Sequence, residues 1–472
     1  MKRPGATLRR IAVLGNYGNR NLGDEATLHS VLQFVKQRCP WVEVCALSEY
    51  PAETRRRHGI EAVASAVDAR EGDETAEPTL PPRPPQRETS GLGARLKAKL
   101  KRLPVLFAAL RAVVNTPRAL HEAVAYLGFS ARCFVFLRRV DLLVVAGGGQ
   151  LSDHFNGVWG FPLQLFTWCL LARCAGAQVA VLHVGAGPIG GAASRVLFRW
   201  TLGLATYRSY RDERSRRLVE EIGVRDPGPV GPDLVFGWEP TLESPPEPVS
   251  LARRTVGLNV YPYRDWRYSP IYDPSAYAAY LERIAEFTLW LLGQGYRVHL
   301  FPTQLRADVR VIADVLANLK TRLSTEMQER VEVASIAAVE DVAREIRRCD
   351  VIVATRFHAI VVSMLLGKPI LGLYSEPKMS DLMANMGQAA YSMSLDTLDV
   401  PATIARFLDL EANHERVAAE LADHAGRARR TLEGLLDPVF GPRVGAQGSA
   451  PAPVGGRGGV VVPRPGTSPE PT

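Results

Sequence analysis

From Ile11 onward the chain alternates short β-branched runs with stretches of helical periodicity, an alternation that folds into a parallel sheet wound with helices. Residues 11–15 read as a strand. Leu28, Val31, Leu32 and Val35 then fall at i, i+3, i+4 and i+7, one face of a helix starting near Gly23. A strand at 42–47 follows. The order resumes with strand 141–146, helix 161–174, strand 178–184, helix 192–203, a short strand ending at 209 and helix 213–222. Pro240, Pro245, Pro246 and Pro248 mark residues 239–250 as a linker. Beyond it the pattern restarts: strands at 255–260, 297–302, 331–334, 351–355 and 369–373 alternate with helices at 274–292, 308–319, 339–347, 358–366 and 380–386. The expectation is an α/β protein of two Rossmann-like domains, 1–238 and 251–440, with an interdomain cleft for ligands.

Composition bears on what interrupts this order. With 46% apolar and 22% charged residues over 472 positions, the chain can bury a core, so disorder should be local. Two places qualify: an insert at about 68–118, rich in proline and charge over 68–90, and a Gly/Pro-rich tail at 441–472. The net charge of +8 is concentrated. Seven basic residues (Arg95, Lys97, Lys99, Lys101, Arg102, Arg111 and Arg118) and no acidic one lie between Gly91 and Arg118, and the rest of the chain is nearly balanced. This patch lacks interleaved aromatics, which argues against nucleic acid. Segment 92–114 suits either peripheral contact with an anionic membrane or a solvated helix packed on the amino-terminal domain. The apolar runs 103–114 and 163–172 fall short of the ~20 residues that span a bilayer, and the chain reads as soluble. Six scattered cysteines and no visible export signal fit a reducing cytoplasm.

Four clusters could carry chemistry. Gly15 to Ala26 includes Asn21, Gly23, Asp24 and Glu25 at a strand exit and helix start. There, free N–H groups and close approach favour a ligand, and the carboxylates could orient a sugar hydroxyl, accept its proton, or merely favour the first helical turn. The spacing is not that of a dinucleotide fingerprint. Gly147, Gly148 and Gly149, followed by Gln150, could bind an anion or sugar through N–H groups or serve as a plain strand exit. Arg211 stands at a strand-to-helix junction, where a guanidinium can grip carboxylate or phosphate, while Arg214, Arg216 and Arg217 read as a solvated face. Arg356 and His358, expected in an extended segment and so on one face, converge with Lys378 to make an anion pocket containing one group that titrates near neutrality. His183, inside an apolar strand, reads as a hydrogen-bonded core residue. No His/Asp/Glu set has recognisable metal-ligand spacing.

Six elements in order resemble the polysaccharide pyruvyl transferase family: Asn21-Leu22-Gly23-Asp24-Glu25, Gly147 to Gly149, Gly185 to Pro188, Arg211-Asp212-Glu213-Arg214-Ser215, Gly231 to Asp233, and Arg356 to His358. Lys378 fits too, in Tyr374-Ser375-Glu376-Pro377-Lys378, although Ser375 stands where the family usually has an aromatic. The resemblance implies a glycosyltransferase-B-like pair of domains, and transfer of pyruvyl from phosphoenolpyruvate, with no cofactor, to hydroxyls of a polysaccharide or its lipid-linked precursor. It implies Arg211, Arg356 and Lys378 as donor-binding and His358 as an imidazolium acid. Asp24 would be the acceptor-side residue and a candidate base, with Asn21, Gly23, Glu25, Gly148, Gly149 and Gln150 at acceptor or loop positions. The location expected is the cytoplasm or the inner face of the cell membrane. A nucleotide-sugar glycosyltransferase of the same architecture and a non-catalytic saccharide-binding assembly protein are the competing readings.

Overall fold

The computed structural model describes residues 8–69, 104–154, 156–241, 254–269 and 271–441. The amino-terminal half runs β1 (Arg10–Leu14), α1 (Leu22–Arg38), β2 (Glu43–Ser48), α2 (Pro51–His58), β3 (Glu61–Ala64), α3 (Pro104–Leu137), β4 (Leu142–Ala146), α4 (Phe161–Cys174), β5 (Gln178–Val184), α5 (Ala192–Leu204), β6 (Tyr207–Tyr210) and α6 (Glu213–Glu221). The carboxyl-terminal half runs β7 (Thr255–Asn259), α7 (Pro274–Gly293), β8 (Arg297–Leu300), α8 (Asp308–Leu319), β9 (Val331–Val333), α9 (Val339–Arg348), β10 (Val351–Ala354), α10 (Phe357–Leu365), β11 (Ile370–Tyr374), α11 (Pro377–Asn385) and β12 (Ser392–Ser394), then α12 (Val400–Ala412) and α13 (His414–Phe440).

Each half holds a six-stranded parallel sheet, ordered β3-β2-β1-β4-β5-β6 and β12-β11-β10-β7-β8-β9. Read from the β9 edge, the second order repeats the first. The strand order therefore reverses between β1 and β4 and again between β7 and β10, and in such sheets ligands bind at the carboxyl ends of the strands flanking that reversal. The central strands are apolar because helices cover both faces: β4 is Leu-Leu-Val-Val-Ala and β10 is Val-Ile-Val-Ala, buried throughout.

One apolar core is continuous between the halves. Leu28, Val31 and Val35 of α1 share it with Leu234 and Phe236 and with the whole carboxyl-terminal sheet, while the opposite face of the first sheet forms a second cluster with α3, α4 and α5. Backbone stitches the halves at the cleft: Leu22 N–H donates to Thr303 O (2.8 Å) and Leu305 N–H to Arg20 O (3.0 Å). The last helix, α13, crosses back to the first half, where Arg38 pairs with Asp437 (3.1 Å), Tyr207 Oη donates to Leu435 O (2.5 Å) and Cys39 Sγ donates to Phe440 O (3.1 Å).

Several elements differ from the sequence expectation. The stretch read as an insert to Arg118 ends within a helix, since α3 starts at Pro104 and continues to Leu137. Phe129, Cys133 and Leu137 repeat every four residues and dock it on the first sheet. Residues 70–103, most of the linker and the tail 442–472 lie outside the described residues. The strand-helix pair α2 and β3 and the helices α12 and α13 were not anticipated. Among the described residues one helical stretch, Leu120–Leu137, is long and apolar enough to cross a membrane. All six cysteines are unpaired thiols.

Candidate active site at the interdomain cleft

The loop after β1 is built around α1. Asn21 caps that helix, its Oδ1 accepting from Gly23 N–H (3.3 Å), while its Nδ2 donates to Asp24 Oδ2 (2.9 Å) and Asn16 Nδ2 does the same (3.3 Å). Asp24 is buried, and that burial, with the neighbouring Glu25 carboxylate, pushes its pKa up to about 7. Glu25 turns the other way. Its carboxylate takes Gly18 N–H (2.8 Å) and His58 Nε2 (2.6 Å), with both side chains fully buried, so the structure places it in a brace behind the loop and not on the acceptor wall. Gln150 likewise folds back, donating to Ala146 O (3.1 Å) and Gly147 O (3.2 Å). Gly148, at a φ of 66°, lies beside Asp24, a Cβ there being 3.9 Å from its Oδ1, and Gly149 faces open space.

The cationic residues arrive from three strand exits. Arg211 follows β6 and is nearly buried, its guanidinium 4.6 Å from the centre of the Phe357 ring, 3.3 Å from Asp212 and 3.7 Å from Asp233. A Cβ on Gly185 would stand 2.5 Å from Arg211 Nη2, so the glycine of the Gly185 to Pro188 turn makes room for this side chain. Lys378 reaches Glu376 (2.7 Å), and burial lowers its pKa.

Arg356 and His358 do not share a face. Helix α10 begins at Phe357 with Arg356 as its N-cap, so the two side chains follow a helical and not a two-residue period and diverge. Arg356 stacks 5.1 Å from the Tyr261 ring centre and grips the buried Asp308 through Nε (3.0 Å) and Nη2 (2.5 Å). Asp308 in turn accepts from the N–H groups of Thr303 (3.0 Å) and Gln304 (2.8 Å), which locks this arginine to the loop after β8.

His358 crosses to the first half and lies directly on α1: a Cβ on Gly23 would sit 2.0 Å from its Nδ1. Its Nε2 is buried without a hydrogen-bond partner, 4.0 Å from Asp233 Oδ2, which also has none. Burial pushes its pKa down to about 4; Asp233 opposes the shift, while Arg211, Lys378 and Arg356 add to it. That shift favours the neutral ring near pH 7 while no anion is bound, so an imidazolium there requires the surrounding positive charge to be offset.

Arg211, Asp233, Phe357 and Lys378 line one cavity of about 270 Å³, which extends between α11 and α13 to Asn385, His424 and Arg427. Asp233 links it to His358. The sequence reading left several residues here without a role: Asp233, Phe357 as the platform of Arg211, Tyr261, Asp308 and Glu376. Asp233 had a visible signal in Gly231-Pro232-Asp233 after β6; Tyr261 and Asp308 become relevant only through contacts across the sheet. Arg214, Arg216 and Arg217 lie on the outer face of α6 as expected, Arg214 reaching Asp381 (3.0 Å). His183 is a core residue, at a φ of 49° in a β-bulge, but its ring nitrogens lack hydrogen-bond partners, unlike the expectation. His299, Glu332 and Glu345 approach within 4.8 Å of one another, and Arg348 already pairs with both carboxylates (3.4 and 3.0 Å).

A family model described as Polysaccharide pyruvyl transferase matches residues 21–377, a span that contains Asn21 to Glu25, Gly147 to Gly149, Arg211, Asp233, Arg356 and His358 and ends one residue before Lys378. The chain belongs to the polysaccharide pyruvyl transferase family. It is accordingly a transferase whose role is pyruvyl transfer on polysaccharide. No curated protein matches this pyruvyl transferase family member in sequence. Solved structures share its fold. A candidate UDP-N-acetylglucosamine 2-epimerase from Listeria monocytogenes superposes with a TM-score of 0.53 at 10% identity, covering 92% of this chain and 98% of its own. The S. aureus MnaA-UDP complex gives 0.51 at 8%, with the same coverage of 92% and 98%. Another UDP-N-acetylglucosamine 2-epimerase gives 0.51 at 12%, covering 94% and 100%. At these identities the likeness establishes the glycosyltransferase-B-like pair of α/β domains and nothing about ligands. Ser375, at the position where the sequence resemblance leads one to expect an aromatic, accepts a hydrogen bond from Tyr261 Oη (2.7 Å), so a tyrosine from the exit of β7, two strands away, stands beside the position.

Proposed function

We propose that the protein transfers pyruvyl from phosphoenolpyruvate, without a cofactor, to sugar hydroxyls of a cell-surface polysaccharide while that saccharide is still a lipid-linked precursor in the cytoplasm. The supporting observation is the convergence of Arg211 and Lys378 on one cavity, with Asp233 joining it to the unpaired Nε2 of His358. One buried and one half-buried cation suit a ligand with both carboxylate and phosphate, while Arg356, held by Asp308, lies outside the cavity lining.

The depressed pKa of His358 fits this chemistry. Arg211, Lys378 and Arg356 are among the causes of that depression, and a bound multivalent anion would cancel their charges. Donor binding would thus raise the pKa of His358, which takes up a proton from solvent. The imidazolium passes that proton to the methylene carbon, converting it to methyl and leaving an oxocarbenium-like centre. A sugar hydroxyl adds to that centre and gives its proton to Asp24, whose pKa of about 7 suits a base at neutral pH. The C–O bond to phosphate then breaks and phosphate leaves with the proton that Asp24 accepted, its charge balanced by Arg211 and Lys378; a second hydroxyl adds to the centre so formed, closing the cyclic ketal and giving its proton to His358, neutral since the first step. Phosphate release from phosphoenolpyruvate by purified protein, with and without glycan acceptors, tests this reading. Release that requires acceptor and His358 supports it; nucleotide binding in place of phosphoenolpyruvate binding refutes it.

A further inference from the structure

Helix α3 presents two opposite faces. Phe129, Cys133 and Leu137 are buried, Phe129 packs edge-on against Trp168 of α4 (6.1 Å between ring centres), and Tyr126 hydrogen-bonds Thr167. On the other side Leu120, Val124, Leu127, Ala131 and Val135 follow a spacing of four, three, four and four residues, an apolar stripe in full view of solvent. Leu127 is 68% exposed, and only 17% of the stretch Leu120–Leu137 is buried. A helix docked along one side on a water-soluble sheet does not span a bilayer; it can lie on one.

The stripe is not isolated. Helices α3, α4 and α5 pack side by side on the same face of the first sheet, and α4 and α5 expose Leu170, Val196 and Trp200, with Trp159 78% exposed on the turn leading into α4. The charge on this layer has one sign. No Asp or Glu occurs between Asp153 and Asp212, the three helices carry a single acidic residue, Glu122, and Arg132, Arg173, Arg195 and Arg199 are exposed. Beside the stripe a cavity of about 450 Å³ gathers Arg10, Arg132 and Arg139 around Ala131, Val135 and Phe136, against Glu61 alone. Exposed aliphatic and tryptophan side chains among arginines, nearly free of carboxylates, match the interface of an anionic bilayer, where the apolar groups enter the acyl boundary and the guanidiniums meet lipid phosphates.

We infer that the outer face of α3, α4 and α5 is a membrane-docking surface for anionic phospholipid. This inference goes beyond the proposed transfer reaction, does not depend on the donor, and differs in location from contact through the basic stretch 92–114. Removing side chains from this face, while leaving 92–114 intact, separates the two.

The experiment is co-sedimentation of the full chain with phosphatidylcholine vesicles containing roughly 30% phosphatidylglycerol and with phosphatidylcholine vesicles alone. Wild type is expected to bind the anionic vesicles, less as salt rises, and the double variant Leu127→Glu/Trp200→Glu to bind at least about tenfold more weakly with unchanged circular dichroism. Arg195→Gln/Arg199→Gln provides a second variant that leaves the apolar face intact and should lower binding to anionic vesicles only. Equal binding by wild type and both double variants overturns the inference in favour of 92–114. Absence of vesicle binding, with a dimer in sedimentation velocity that Leu127→Glu/Trp200→Glu dissociates, overturns it in favour of a second copy of this chain.

Discussion

The two halves are wound alike but place different residue types at the points where their strand order reverses, with Arg211 of the first half the exception that joins the cations of the second. At the reversal point of the first sheet stand carboxyl groups, Asp24 and, from the end of the same half, Asp233; at that of the second stand Arg356 and His358, with Lys378 one strand further on. Burial acts on the two walls in opposite directions. It raises the carboxyl of Asp24 to about 7 and lowers the imidazole of His358 to about 4, so each is driven toward its neutral form. The topology thus supplies two equivalent places to put chemistry, and the residues at each decide which end of a reaction it serves. Under the proposed reaction the loop after β1 would face the hydroxyl, while the anion would lie between Arg211 of the first half and Lys378 of the second.

The sharpest way to break this division is His358→Ala, which should cut phosphate release from phosphoenolpyruvate by about 10² to 10⁴ while glycan binding is retained. Gly23→Ala attacks the same wall from the opposite side. Alanine is the better helix former by about 1 kcal/mol, yet its methyl would occupy the place of the His358 ring, so turnover should fall about a hundredfold and stability by about 1–3 kcal/mol in urea titration. If turnover survives in Gly23→Ala, His358 need not be seated there. Calorimetry of phosphoenolpyruvate binding in buffers of different ionisation enthalpy should show uptake of about one proton at pH 7, absent in His358→Ala, because the anion restores the basicity that the cations suppress.

Stability against pH sharpens the comparison further. Asp24 holds its proton more tightly folded than unfolded, so it costs stability as pH rises from about 4 to 7. His358 and His183, both near 4 when folded, do the reverse: they cost stability as pH falls from about 6.5 to 4, because only the unfolded chain takes up their protons. Asp24→Asn should therefore stabilise the protein at pH 7 by about 1–4 kcal/mol, with the gain shrinking toward pH 4. Arg217→Ala, on the solvated face of α6, should change stability by less than about 0.5 kcal/mol.

Much of this could be read before the structure, and what could not has a physical reason. Strands β1, β4, β7 and β10 and their following helices announce themselves because central strands are continuous apolar runs and glycine-rich exits interrupt them. The pair α2 and β3 did not, since Glu61–Ala64 is a short edge strand and Pro51–His58 is mostly charged. Helix α3 was obscured by its neighbour in sequence: its apolar residues lie on both sides, with no single amphipathic stripe to count. At the site, proximity to strand exits identified Arg211, His358 and Lys378. Orientation was not legible, because whether Glu25 faces the cleft or His58 depends on α2, and whether Arg356 parallels His358 depends on where one helix begins.

The contact between Gly23 and the His358 ring makes the proposed acid a joint possession of the two halves. Its seat is a gap in the side chain of one half, filled by a ring from the other, and the backbone pairing of Leu22 with Thr303 sits next to it. A rotation that parted the walls would withdraw the ring from its seat and from Asp233 in one movement. Under the proposed reaction such a site would be armed only when shut, because parting the halves would separate Arg211 from Lys378 as well as the ring from its seat, and water would find no activated carbon to attack.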